Sequence, residues 1–248
     1  MKRLLEAELI KLRTTRTFAA LAGVAVGLSV LITVLVCVLT EPDRDSVLTD
    51  VFTADFSGVF ILLLAAIGIT GEWRHRTITS SLLAAPDRVR FLAAKTIAFA
   101  AAGIVLSLLI AAAIGIVGFA ILSFRDLPTP GFGDWITQVG RNALVAALFG
   151  GLGVTMGALL RNQAVTIVGI LLLILVVDSA VTALVPSVGR YSPFSALPTA
   201  ITDIPPEDAG LPEDIDLFSP IVGLLLMLAW IGSLFAIGAT LLKQRDVE

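Results

Sequence analysis

The chain has 248 residues, 57% hydrophobic and only 15% charged, with a mean hydropathy of +0.97. A soluble domain carries about 25% charge, so a water-soluble globular fold is excluded and the composition is that of an all-α integral membrane protein. The net charge is −3 and the single cysteine, Cys37, lies in an apolar run, which leaves neither a disulfide framework nor a cysteine metal cluster.

Residues 1–17 come first. Leu5, Leu9 and Leu12 recur at i, i+4 and i+7 among Lys2, Arg3, Glu6, Lys11 and Arg13. That pattern predicts an amphipathic helix along the headgroups; read more simply, it is a basic flank that orients the first span. The apolar run that follows is too long for a signal-peptide core and has no small-residue cleavage site after it, so it is expected to be a retained span.

A membrane-crossing helix needs about 20 mostly apolar residues. Six stretches reach that length, about 18–40, 52–70, 96–123, 141–160, 164–185 and 219–242. They are continuously apolar and do not alternate, which argues against strands. The third exceeds the need, so it should tilt, bend or project. Asp55 places the start of the second near an interface. Gly23 and Gly27, and Gly153 and Gly157, have the GxxxG spacing that lets helices approach closely.

Lys and Arg sort along the chain. With the amino terminus inside, segments 1–17, 71–95, 161–163 and 243–248 hold thirteen of them, against four outside (Arg44, Arg125, Arg141 and Arg190). The positive-inside rule then predicts six spans with both termini cytoplasmic. The loop 186–219 is proline-rich and expected to be largely irregular, with short helices dipping into the outer leaflet near its start.

The stretch 71–95, GEWRHRTITSSLLAAPDRVRFLAAK, is a basic island between two apolar runs. Orientation needs only two or three charges, so a segment this long is expected to have its own structure. Pro86–Asp87 is a helix-start signal, and 77–85 is predicted to form a short helix capped by Thr77 or Thr79. Ile78, Leu82 and Leu83, at i, i+4 and i+5, are expected to offer an apolar face with Arg74 and Arg76 at its rim.

Catalysis finds little support. His75 is the single histidine, so no HExxH zinc site exists, and no GxxxxGK[ST] phosphate loop occurs. Asp178 is the one acid well inside a span, where it costs about 3 kcal/mol to insert. Counting from Ala164, it lies about 21 Å along its helix. It is expected either to line a cavity or to form a structural ion pair, with Arg141 as the partner at similar depth.

At three places the chain resembles the permease subunits of bacterial type-2 ATP-binding-cassette (ABC) exporters. These are EAELIKLRTTRTF at the start, the island itself, and ALLRNQAVTIVG at the turn after the fourth span. The island is similar to the family pattern E-x-R-x-x-T … LL-x-x-P-x-R … AK, whose helix docks onto the ATPase. The resemblance implies a single permease domain over 1–248, in the bacterial cytoplasmic membrane. It assigns the coupling segment to Glu72, Arg74, Arg76, Thr77, Ile78, Leu82, Leu83, Pro86 and Arg88. It also implies a second permease chain, identical or not, and two separate P-loop ATPase subunits that hold the ATP and magnesium, so this chain has no cofactor and no nucleic-acid partner of its own. The substrate path would run between the two permeases. Two other readings compete: an ion-coupled secondary transporter, which needs ionisable groups or broken helices at the midplane, and a membrane anchor or assembly protein, which does not need the island.

Overall fold

The structure is a computed structural model and describes residues 2–44, 46–52, 54–84 and 87–244. Among these the regular elements are all helical. In chain order they are α1 (Lys2–Thr14), α2 (Arg16–Leu39), α3 (Val47–Phe52), α4 (Ser57–Arg74), α5 (Ile78–Ala84), α6 (Arg88–Phe124), α7 (Phe132–Leu160) and α8 (Gln163–Leu172). A π-helical stretch, Leu173–Asp178, then joins α8 to α9 (Ser179–Leu184), and α10 (Pro186–Gly189), α11 (Ala196–Thr202) and α12 (Pro220–Gln244) follow. Among the described residues, six helices are long and apolar enough to cross a membrane: α2, α4, α6, α7, the continuous 163–184 helix and α12.

Several helices end elsewhere than the apolar runs do. α4 starts at Ser57 and runs to Arg74, so Glu72 and Arg74 belong to the second long helix and not to the loop after it. α7 begins at Phe132, nine residues before the expected span. Polar side chains do not stop a helix when they find partners along it, and Gln138 Nε2 donates to Asn142 Oδ1 one turn on, at 3.2 Å. α6 has 37 residues and at 1.5 Å per residue is about 55 Å long, well beyond a hydrocarbon core of about 30 Å.

α7 is the centre of the bundle. It packs against α4, α6 and α12, while α2 lies on α6 and α8 on α4. Between hydrocarbon tails the hydrophobic effect does not drive helices together, so close packing must. Gly153 supplies it: a Cβ there would stand 2.2 Å from the Leu62 carbonyl oxygen of α4. A Cβ on Gly150 would stand 2.4 Å from the Phe99 carbonyl oxygen of α6. Gly23 and Gly27, in contrast, meet nothing within 4 Å, so the GxxxG of the first span faces away from the fold.

The turns follow from local chemistry. The Asp87 carboxylate accepts from the backbone N–H of Val89 and of Arg90, both at 3.1 Å, and so starts α6. Between α7 and α8 the chain reverses at Arg161, which is left-handed at φ 54°, and Asn162 caps α8 by accepting from Val165 N–H at 3.2 Å. The reversal is held by Arg161 Nη2, which donates to the Leu241 carbonyl at 3.0 Å. At the opposite end Pro186 opens α10, and every residue of α11 is buried, covered by α7 and α12. This connectivity puts α1, α5, the end of α4 and the start of α6 on one face, called here the terminal face.

Candidate functional site

At the terminal face four charged side chains from three helices close a ring. Lys95 Nζ of α6 donates to Glu8 Oε2 of α1 at 2.7 Å and lies 2.8 Å from Glu72 Oε1 of α4. Lys11 Nζ of α1 completes the ring, 2.8 Å from Glu8 Oε1 and 3.1 Å from Glu72 Oε1. Lys95 is 1% exposed and Glu72 7%. The Lys95 ammonium also stands 5.3 Å from the centre of the Phe91 ring. Burying these charges is costly, and alternation of sign offsets the cost.

The electrostatics of the α1 members follow from this geometry. Burial alone would raise the Glu8 carboxyl, but the Lys95 charge and hydrogen bonds from Lys11 and Lys95 outweigh it and hold the group below its ordinary range. Burial would lower Lys11, and the two acids reverse that and raise it. One atom stands apart. Among the described residues, Glu72 Oε2 has no hydrogen-bond partner although it is buried. Glu72 is one of the residues around a cavity of about 790 Å³ bounded by α1, the start of α2, α4, α5, α6 and Gln163 of α8.

No protein-family model matches the chain, and no curated protein matches it either. The site therefore has to be read from its own residues. Among the described residues no cluster of His, Cys, Asp or Glu is suited to hold a metal ion.

The island residues fall into two groups. Glu72 and Ile78 point inward: Ile78 packs on Phe91 with Leu4 and Trp73 beside it. The expected apolar face of Ile78, Leu82 and Leu83 is thereby divided, since Ile78 holds α5 onto α6 while Leu83 is 79% exposed. Thr77 precedes α5, and its N–H donates to the Glu72 carbonyl at 2.9 Å. Arg74 and Arg76 are exposed. Arg74 Nη1 donates to Gln163 Oε1 at 3.2 Å, and Arg76 is left-handed at φ 56°. Arg88 Nη1 donates to the Leu242 carbonyl, fastening α6 to α12. Pro86 and the side chain of Leu82 lie outside the described residues.

On the opposite face the expected pairing of Asp178 with Arg141 does not form. Arg141 Nη2 pairs with Asp203 at 2.9 Å and Nη1 donates to the Thr202 carbonyl at 3.1 Å, because α11 ends beside α7 with Asp203 left-handed at φ 59°. Asp178 instead accepts from Ser192 Oγ, whose turn folds back over the end of the π stretch. Similar depth brought the two residues together on paper; their helices face different neighbours.

Sequence reasoning missed two polar groupings. One is the ring, for which Glu8 and Lys95 give no sign in isolation. The other surrounds Asp55, which accepts from Ser57 N–H at 2.8 Å, Asn142 Nδ2 at 3.1 Å and Ser107 Oγ at 3.3 Å. The available signal was the presence of Ser107 and Asn142 within otherwise apolar runs.

Proposed function

We propose that this chain is the membrane-spanning permease subunit of a type-2 ABC exporter in a bacterial cytoplasmic membrane, with its terminal face in the cytoplasm. In this reading two permease chains form the substrate path and two separate ATPase subunits dock from the cytoplasmic side. The observation that carries it is α5. A short helix stands between the second and third long helices, on the basic face, in the stretch that resembles the family's coupling segment.

The ring gives that helix something to push. Thr77 ties the start of α5 to the last turn of α4, Ile78 seats it on α6, and the buried charges lock α4 and α6 to α1. A force on the exposed side of α5 would therefore move the ends of two long helices together, as rigid-body switching requires. Leu83, which stands outward, is the contact for an ATPase groove, where burying one leucine is worth about 1.5–3 kcal/mol.

The test is affinity purification from native membranes. Wild type is expected to bring a P-loop ATPase with it. Leu83→Asp should insert and accumulate normally, yet lose the ATPase and export. Retention of a full complement of ATPase by Leu83→Asp would remove the coupling role from α5, and absence of any ATPase from wild type would remove the exporter reading.

A further inference from the structure

A second cavity lies on the opposite face. It is bounded by Asp55 and the first turn of α4, by Asn142, Val145 and Phe149 of α7, and by Phe194, α11 and the loop after α11. Its volume is about 300 Å³, at the lower end of the range for small-molecule sites. Asp208 and Ala209 are exposed members of its wall.

The sign of the wall comes first. Among the described residues it holds two acids, Asp55 and Asp208, and no Lys or Arg. The neighbouring Arg141 is committed to Asp203 and to the Thr202 carbonyl. Asp55 is partly exposed and is held by neutral donors: Ser57 N–H, Asn142 Nδ2 and Ser107 Oγ. They satisfy its oxygens without cancelling its charge. A charge drawn out of water without a counter-charge is costly, so the cavity favours a cation and repels an anion.

Hydrogen-bonding capacity and apolar surface narrow the choice. Asn142 Oδ1 already accepts from Gln138 Nε2 at 3.2 Å, and Thr202 Oγ1 donates to the Pro198 carbonyl at 3.0 Å. A primary ammonium brings three N–H groups that each need an acceptor, and a wall so committed would replace its water poorly. A quaternary ammonium needs no acceptor. Its methyl groups suit Val59, Val145 and Ile204 of the wall, and aromatic rings such as that of the partly exposed Phe194 attract such cations.

We propose that this cavity binds a free organic cation carrying a quaternary ammonium group. The charge stands beside Asp55, with the methyl groups against Phe194 and the apolar wall. The site requires neither transport nor an ATPase and can be tested on the isolated chain.

The purified protein, in a maltoside detergent, is titrated with labelled choline, and three unlabelled competitors are compared with unlabelled choline. 3,3-Dimethylbutanol keeps choline's shape without its charge, and it should bind at least about tenfold more weakly. Ethanolamine keeps the charge but carries N–H donors, and it should also be weaker. Phosphocholine adds a phosphate that the two acids repel, and it separates a free cation from a lipid head group. Asp55→Asn, scored on protein that elutes as wild type does, should abolish choline binding. Ala209→Trp fills the cavity from an exposed loop position and should abolish it as well, without disturbing the polar contacts of Asp55.

No saturable choline binding at millimolar concentration would overturn the proposal, as would equal binding of 3,3-dimethylbutanol or an unchanged affinity in either variant. Ethanolamine binding as tightly as choline would remove the quaternary assignment. Phosphocholine binding as tightly would make the site one for a lipid head group, and the free-cation assignment would fail.

Discussion

Lys95 Nζ lies 2.7 Å from Glu8 Oε2, two residues 87 positions apart in the chain. This contact fixes the amino-terminal helix to the third long helix and makes α1 part of the fold rather than a detachable flank. Lys95→Met would leave Glu8 and Glu72 facing one another without their buried counter-charge, a loss of about 3–5 kcal/mol. Lys11 is half exposed, so Lys11→Met should cost no more than about 1 kcal/mol. Thermal unfolding of the two variants in the same detergent separates them. Equal losses would mean that the ring does not hold the terminal face together.

The ring also sets a pH window. Glu8 titrates below its ordinary 4.5 in the folded chain, so its contribution is present above that value and is lost as pH falls through the lower folded one. Lys11 titrates above its ordinary 10.5, so its contribution is present below 10.5 and is lost as pH rises through the higher folded value. Melting temperature should therefore be level between these limits as far as Glu8 and Lys11 are concerned. The difference between wild type and Glu8→Gln should shrink on acidification below pH 4.5. A difference that stayed constant into that range would show that the Glu8 charge contributes nothing.

What was legible in the sequence was whatever a single stretch determines alone. Apolar length gave the six long helices, and Asp87 after a proline gave the start of α6. The end of α4 and the start of α7 were less legible, because Glu72, Arg74 and Gln138 look like loop residues until Lys95, Gln163 and Asn142 supply their partners. Pairing was the hardest. Arg141 and Asp178 match in depth, but depth says nothing about which way a helix face turns, and Asp203 and Ser192 occupy the positions nearer to hand. The ring joins residues 8, 72 and 95, and no spacing rule spans those distances.

The two GxxxG pairs look alike in sequence and differ in the fold, which makes them a matched test. Gly153→Leu would drive a side chain into the Leu62 carbonyl of α4, 2.2 Å from the new Cβ. Backbone cannot rotate away as a flexible side chain can, so the loss should reach or exceed the ~1–3 kcal/mol usual for overpacking. Gly27→Leu enters open space and should stay within about 0.5 kcal/mol. Unfolding temperatures of the two variants decide it, and comparable losses would refute the placement of α7 against α4.

Orientation in the membrane is the prediction on which the proposed function most depends. Thirteen of the seventeen Lys and Arg residues lie in segments 1–17, 71–95, 161–163 and 243–248, and by the positive-inside rule that asymmetry predicts a cytoplasmic terminal face. The protein lends itself to cysteine mapping, because its own Cys37 is buried and should contribute little background. Ala209 is exposed on the opposite face, and Thr79 is exposed on α5. With an impermeant thiol reagent added to intact cells, Ala209→Cys should label and Thr79→Cys should not; after the membrane is permeabilised, both should label. Neither substitution touches the ring or the packed glycines, so both variants are expected to fold. Labelling of Thr79→Cys in intact cells, with Ala209→Cys protected, would invert the topology. It would leave α5 on the side of the membrane that holds no ATP, where no ATPase could drive it.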